Sequence, residues 1–297
     1  MKPCDPVAII GVGNMGGGMA RRLLSLGWPV RVCDIDHAKT DLLESIGALA
    51  LANPLQAAIG SEVIIVVVVD AVQTEQVLFG QDGAASGLRP GQTVLLCPTL
   101  APDDVERLGQ RLQSLRVNVL DAPMSGGPQR ALEGSMSLLL AGEAVVLAQH
   151  QALLEALASQ RFVISERLGD AARTKLVNNL AAGINLVGAA EVLALAQKMG
   201  LDLTRTLDVM AQSSGQSWIG SDRMRRAIAG DYAPRAHMTL LQKDTRLALE
   251  AAQAVGFVGP LSAAARDVFA QASAGGLAGQ DDAALFKWLS AGLGSPD

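Results

Sequence analysis

The stretch VAIIGVGNMGGGMARRLL, residues 7–24, decides the fold of this chain. Residues 7–10 are all apolar, as in a short strand covered on both faces. Gly11, Val12, Gly13, Asn14, Met15 and Gly16 follow at G-x-G-x-x-G spacing, and an Ala/Leu/Arg helix then runs to about Leu26. The spacing alone is weak, because 31 glycines make chance matches common. Here it joins a strand to a helix opening near Met15, and Asp34 ends the next strand, 30–33, about 20 residues on. That context fits a dinucleotide. Gly11 permits the tight turn, Gly13 lets a pyrophosphate approach the backbone, and Gly16 lets helix and strand pack closely. The helix N-terminus offers amides and a partial positive charge to the phosphates. Asp34 accepts hydrogen bonds from ribose hydroxyls in this reading, and with Asp36 it repels a 2′-phosphate. NAD is favoured over NADP, though His37 and Lys39 soften the discrimination.

Working outward, further strands are predicted at 63–69, 94–97, 117–120, 137–141 and 162–164, alternating with helical patterns. The run 63–69 is apolar throughout. Strands interleaved with helices in this way imply a mainly parallel, doubly wound α/β sheet. From about Gly169 no strand-like run appears and helical periodicity dominates. The expected organisation is a nucleotide-binding domain over 1–168 and an all-helical domain over 169–297. The second begins with a long helix, about 170–199, stopped by Gly200. The Gly/Ala-rich stretch 272–279 reads as a loop.

Composition narrows the function classes. A chain of 297 residues with 49% hydrophobic and 18% charged residues builds a large core, and its net charge of −5 argues against nucleic acid or an anionic membrane as partner. The start, MKPCDPVAII, lacks a signal-peptide apolar stretch. The greasiest run, 63–69, is too short to span a bilayer. Cys4, Cys33 and Cys97 are odd in number and scattered, which suits a reducing cytoplasm and small buried side chains rather than disulfides. His37, His150 and His237 are equally scattered, so no metal site is expected.

Two further segments carry polar groups among apolar ones. DAPMSGGPQRALEG, 121–134, follows a predicted strand. Ser125, Gly126 and Gly127 can present a hydroxyl and successive amides to an anion; a plain Gly-Gly turn explains the same residues. TKLVNNLAAGINL, 174–186, reads as a helix. At about 100° per residue, Leu176, Leu180, Ile184 and Val187 share one side, with Val177 beside them. Lys175, Asn178, Asn179, Ala182 and Leu186 share the other, with small Gly183 adjoining. That stripe is either a solvated face or one wall of a polar pocket.

In order and across nearly the whole chain, GVGNMG, DAPMSGG, KLVNN and KDTRLALEAA resemble the motifs of the β-hydroxyacid dehydrogenases. The resemblance implies a Rossmann domain, a long connecting helix and a helical C-terminal domain like that of 6-phosphogluconate dehydrogenase, with the active site between the domains. It implies an NAD(P)-dependent oxidoreductase that interconverts a small 3-hydroxy acid, of the 3-hydroxyisobutyrate or L-threonate type, with its semialdehyde or keto acid. A reductase of tartronate semialdehyde, glyoxylate or succinic semialdehyde is the nearest alternative; an imine reductase or a non-catalytic NAD-binding protein lies further off. By the resemblance Lys175 is the catalytic lysine and Asn179 a substrate-binding residue, while Ser125, Gly126 and Gly127 hold the substrate carboxylate. Gly11, Val12, Gly13, Asn14, Met15, Gly16, Asp34, Val69, Thr99 and Lys243 contact the cofactor, and a homodimer or homotetramer is expected. Ala171, Met124, Cys97 and Pro98 depart from the family pattern, around the pockets rather than at the lysine.

This reading explains a lysine in such a helix. A protonated lysine can donate to a carbonyl, and one brought into the working range by burial can accept the alcohol proton.

Overall fold

The computed structural model describes residues 5–292, so Cys4 lies outside the described residues. β1 (Val7–Ile10), β2 (Val30–Cys33), β3 (Leu49–Ala50), β4 (Val63–Val66), β5 (Thr93–Leu96), β6 (Asn118–Asp121), β7 (Met124–Ser125), β8 (Met136–Ala141) and β9 (Ala158–Ser165) form one nine-stranded sheet. Around them run α1 (Asn14–Ser25), α2 (His37–Glu44), α3 (Pro54–Ala58), α4 (Ala71–Phe79), α5 (Pro102–Ser114), α6 (Gly127–Glu133), α7 (Ala144–Gln149) and α8 (Gln151–Leu157). Beyond the sheet come α9 (Asp170–Lys198), α10 (Leu203–Ala211), α11 (Trp218–Ile228), α12 (Met238–Ala254), α13 (Pro260–Ala272) and α14 (Leu285–Ala291).

Six strands run parallel in the order β3-β2-β1-β4-β5-β6. The chain steps outward from β1 first one way and then the other, so the β1–β4 boundary is a switch point. In open sheets of this kind, the crevice at the carboxyl ends of the strands there is the ligand site. β8 then runs antiparallel to β6, meeting it at Asp121 and Ala141, and β9 runs parallel to β8. Both faces of the sheet are covered. Ile9, Met19, Val32 and Leu120 belong to one core, and Ile10, Ile64, Val94 and Leu108 to another.

Several predicted strands need correction. The run 63–69 is a strand only to Val66. Past it the chain turns into α4, whose first amides are capped by Asp70 through Gln73 N at 2.9 Å, and Val69 is left half exposed. β5 and β6 each start one residue away from expectation; Thr93 belongs to β5 and its buried hydroxyl meets His150 Nε2 at 2.7 Å. β9 is far longer than 162–164, because Ser159 through Ile164 are exposed and the strand carries no burial pattern. Cys33 and Cys97 are free and buried, as expected; burial, with Asp34 adjacent, pushes the Cys33 thiol up to about 11.

α9 ends in a Schellman motif, with Leu201 N donating to Ala196 O at 3.0 Å and Gly200 N to Gln197 O at 3.1 Å. Gly200 is therefore its stop. By length and composition alone this 29-residue helix could cross a membrane, which a reading confined to 63–69 overlooks. Its Leu186, Ala190 and Leu193 instead help build the core of a helical unit with Leu207, Met224, Phe269 and Leu285. The chain divides into two compact units between Lys175 and Leu176, inside α9.

Within the helical unit α12 crosses close over α9. A Cβ on Gly183 would come within 2.7 Å of Thr245 Cγ2, so that small residue makes room for a helix and not for a ligand. The stretch 272–279 starts in helix, since α13 continues to Ala272; the chain then kinks at Gly275 and Gly276, the latter at φ +94°, and Gly275 packs beneath the Trp288 ring. Buried Asp281 accepts from the amides of Arg235, Ala236 and Ala283 and pairs with Arg226 at 2.9 Å, pinning the approach to α12.

Candidate active site

The glycine loop leaves β1 at the switch point. Gly11 has φ +90°, and a Cβ there would lie 2.6 Å from Val67 O, so only glycine fits. A Cβ on Gly16 would collide with the carbonyl oxygen of Gly11, the close helix-to-loop packing expected of the third glycine. Gly13 differs. Nothing lies within 4 Å of where its Cβ would be, so the protein leaves open space above this residue, at the N-cap of α1. Asn14 is exposed, Met15 half-buried against the core and Val12 buried. A cleft of about 300 Å³ opens here, lined by Val12, Gly13, Asn14, Arg21 and Lys39, with Pro128 and Gln129 of α6. A loop with free space above its middle glycine and a helix N-terminus beneath fits a dinucleotide pyrophosphate.

Asp34 has a structural task as well. Its Oδ2 accepts from Val12 N at 2.7 Å and its Oδ1 from Asp36 N at 2.9 Å, tying the glycine loop to the end of β2. Each oxygen keeps a lone pair for a ribose hydroxyl. The helix-capping aspartate is Asp36, which accepts from Ala38 N at 3.2 Å and pairs with Lys39 at 3.2 Å. Arg21, which the sequence reading leaves out, is a second cation in the cleft. Val69 after β4 and Thr99 after β5 also stand at the carboxyl edge of the sheet.

Ser125 closes β7, and Gly126 (φ +131°) and Gly127 (φ +79°) carry the chain into α6. All three are half-buried. Lys175 lies in the second turn of α9 and is buried, 6% exposed. Asn179, one turn on, is 9% exposed, whereas Val177 is 71% exposed. Of the three polar residues on the stripe, Lys175 and Asn179 are buried, against the solvated-face reading, while Asn178 is exposed, and part of the expected apolar side faces water as well.

In the helical unit Asn179 Nδ2 donates to Asp244 Oδ2 at 2.6 Å, and Asn179 Oδ1 accepts from Asn178 Nδ2 at 3.1 Å. Lys243 pairs with Asp244 Oδ1 at 3.1 Å. The structure therefore brings Asn179 and Lys243 together through Asp244, a residue the sequence reading notes only as following Lys243. A larger cavity, about 630 Å³, lies between α10 and α11 and holds none of the predicted residues. Its arginines already pair with acids, Arg225 with Asp208 and Arg235 with Asp231.

A fold of this kind is shared with known enzymes. Residues 6–165 match the family model for the NAD binding domain of 6-phosphogluconate dehydrogenase. Residues 169–289 match the model described as NAD-binding of NADP-dependent 3-hydroxyisobutyrate dehydrogenase. L-threonate dehydrogenase of Cupriavidus necator is 36% identical over 281 residues, 95% of each chain. 3-Hydroxyisobutyrate dehydrogenase of Pseudomonas aeruginosa is 34% identical, over 89% of this chain and 90% of its own. The crystal structure of 3-hydroxyisobutyrate dehydrogenase from Salmonella typhimurium superposes with a TM-score of 0.90 at 34% identity, covering 96% of this chain and 99% of that one. The chain belongs to the β-hydroxyacid dehydrogenase family. It is an NAD(P)-dependent oxidoreductase of hydroxyacids.

Proposed function

We propose that the chain interconverts a small 3-hydroxy acid of the L-threonate or 3-hydroxyisobutyrate type with its keto acid or semialdehyde, and that Lys175 exchanges the hydroxyl proton. The observation that carries this is a buried lysine followed one turn later by a buried asparagine on a rigid helix. A dinucleotide held by its pyrophosphate at the glycine loop would supply the hydride chemistry through its nicotinamide. Lys175 Nζ takes the proton from the alcohol and returns it to the carbonyl oxygen in reduction. Ser125 and the amides of Gly126 and Gly127 receive the substrate carboxylate. Asn179, its amide fixed by Asp244, orients the substrate, and Lys243 contacts the cofactor. Gly11 through Gly16, Asp34, Val69 and Thr99 form the rest of the cofactor site.

The Asp34 carboxylate favours NAD(H) over NADP(H), because Asp36 and Lys39 pair with and offset each other, which leaves Arg21 as the counterweight in the described cleft. A homo-oligomer is supported by the outer face of α9. Val177, Ala181, Gly188, Val192, Leu195 and Met199 are exposed and fall within about 60° of arc. A stripe of that kind is an association surface. A cytoplasmic location accords with free, buried Cys33 and Cys97.

Lys175→Ala tests the central assignment. Turnover on the best 3-hydroxy acid should fall by roughly 10²–10⁴-fold, with NAD(H) affinity unchanged. Lys175→Arg should also be poor, since guanidinium keeps its proton. A folded Lys175→Ala protein with near wild-type turnover would end the proposal.

A further inference from the structure

The start of α9 is capped from outside the helix. Gly169 occupies the N-cap place with φ +88° and has no side chain to cap with; a Cβ there would meet Arg173 Nη1 at 2.9 Å and Glu106 Oε1 at 3.0 Å. An N-cap side chain ordinarily accepts from the second or third amide of its helix. Here the acceptor comes from the sheet. Asp121, the last residue of β6, accepts at Oδ2 from Gly169 N and from Ala172 N, both at 3.0 Å. It is 1% exposed. Ala172 precedes Lys175 by less than one turn, and Ser125 follows Asp121 on β7. One carboxylate thus joins the two segments to which proton exchange and carboxylate binding are assigned above.

We propose that Asp121 is a positioning residue for the reaction: from the sheet it holds the first turn of α9, and with it Lys175, in register with the Ser125 loop. The inference rests on the assignment of Lys175. An ionised carboxylate makes stronger hydrogen bonds to amides than a neutral one and balances the positive end of the helix. Burial drives the Asp121 carboxyl up to about 6, against the pull of the Ala172, Gly169 and Ala171 amides, and Asp170 adds to the rise. The other charged groups at this corner stand in ion pairs. Arg167 and Arg173 pair with Asp170, Arg173 also pairs with Glu106 of α5, and the Cys97 thiol is held up by its own burial and by Asp121. Ala141 of β8 adds no charge. A raised carboxyl is charged above about pH 6 and neutral below it, so the cap weakens as pH falls.

The test is the pH profile of carbonyl reduction by the full-length enzyme with NADH, the direction in which a protonated lysine is the working form. Wild-type kcat should fall about five-fold from pH 7.5 to 5, with a midpoint near 6. Asp121→Asn keeps the shape but not the charge. Its kcat at pH 7.5 should be about ten-fold lower, without the acid limb, while KM for NADH and Tm stay near wild type. Asp282 of the helical unit, pushed up to about 7 by burial, is left intact by this change and serves as the control for an unrelated limb. Wild-type kcat with the limb retained in Asp121→Asn overturns the inference. If that variant does not fold, the wild-type profile decides, and the absence of a limb between pH 5 and 7 overturns it. Full activity in Asp121→Asn beside an inactive Lys175→Ala sinks the positioning role alone; an active Lys175→Ala sinks both.

Discussion

Asp34 shows how one residue can serve structure and selectivity together. Its carboxylate accepts from Val12 N and Asp36 N, and the proposed cofactor site gives it the ribose hydroxyls as well. The two tasks separate by substitution. Asp34→Asn keeps an acceptor for Val12 N and removes the charge, so the affinity ratio of NAD(H) to NADP(H) should fall about ten-fold, or about 1.4 kcal/mol, with Tm little changed. Asp34→Ala should narrow the ratio as well and leave a buried amide unpaired, costing about 1–3 kcal/mol of stability. Calorimetric titration of both cofactors reads the first effect. Equal or tighter NADP(H) binding by the wild type would refute the preference. Under the proposed function Lys175 is the opposite case, a residue whose value to the fold is small beside its value to turnover.

At the scale of the element, the glycine loop and α1 divide their glycines by what each one faces. Gly16 faces protein, since a Cβ would strike Gly11 O. Gly13 faces empty space, has φ −64°, and strains nothing if it gains a methyl group. Gly16→Ala should therefore destabilise the unit by about 1–3 kcal/mol and lose dinucleotide binding with it. Gly13→Ala should melt within about 0.5 kcal/mol of wild type yet bind NAD(H) at least ten-fold more weakly. Thermal melts with and without NADH distinguish them; a Gly13→Ala protein of unchanged affinity would show that the open space is not where the cofactor lies. α9 carries the same lesson. Its stop is local, at Gly200, while its start depends on a carboxylate from another strand.

For the molecule as a whole, the exposed stripe on α9 is the feature a lone chain does not explain. Apolar side chains from Val177 to Met199 face outward on a helix whose other side builds a core. The double substitution Val192→Lys, Leu195→Lys places two like charges on that stripe without touching the core. Light scattering at micromolar concentration should show the wild type as a dimer or tetramer and the variant as a smaller species, with an unchanged circular-dichroism spectrum. A monomeric wild type would remove the role given to this face.

Much of the nucleotide-binding unit was legible in residue order. β1 and β2 occupy 7–10 and 30–33 as read, because a fully covered strand needs consecutive apolar residues and the glycine turn beside it needs particular backbone angles. The end of α9 was legible for the same reason, since a Schellman stop is chemistry within six residues. Tertiary structure alone decided the rest. Nothing in 63–69 marks Val66 as the last strand residue; the ladder ends there because its neighbours do, at Ile10 of β1 and Leu96 of β5. β9 takes its place by pairing with β8, so its exposed residues carry no apolar pattern to read. That Gly183 is small to admit α12 is visible only once the helices pack. The ties on the two polar segments join residues far apart in the chain: Asp121 to Gly169 and Ala172 across 48 and 51 positions, Asn179 to Asp244 across 65. Periodicity reports which face of an element is apolar, over a few turns or residues. Which carboxylate reaches which amide depends on how separate elements pack, and only the folded chain holds that information.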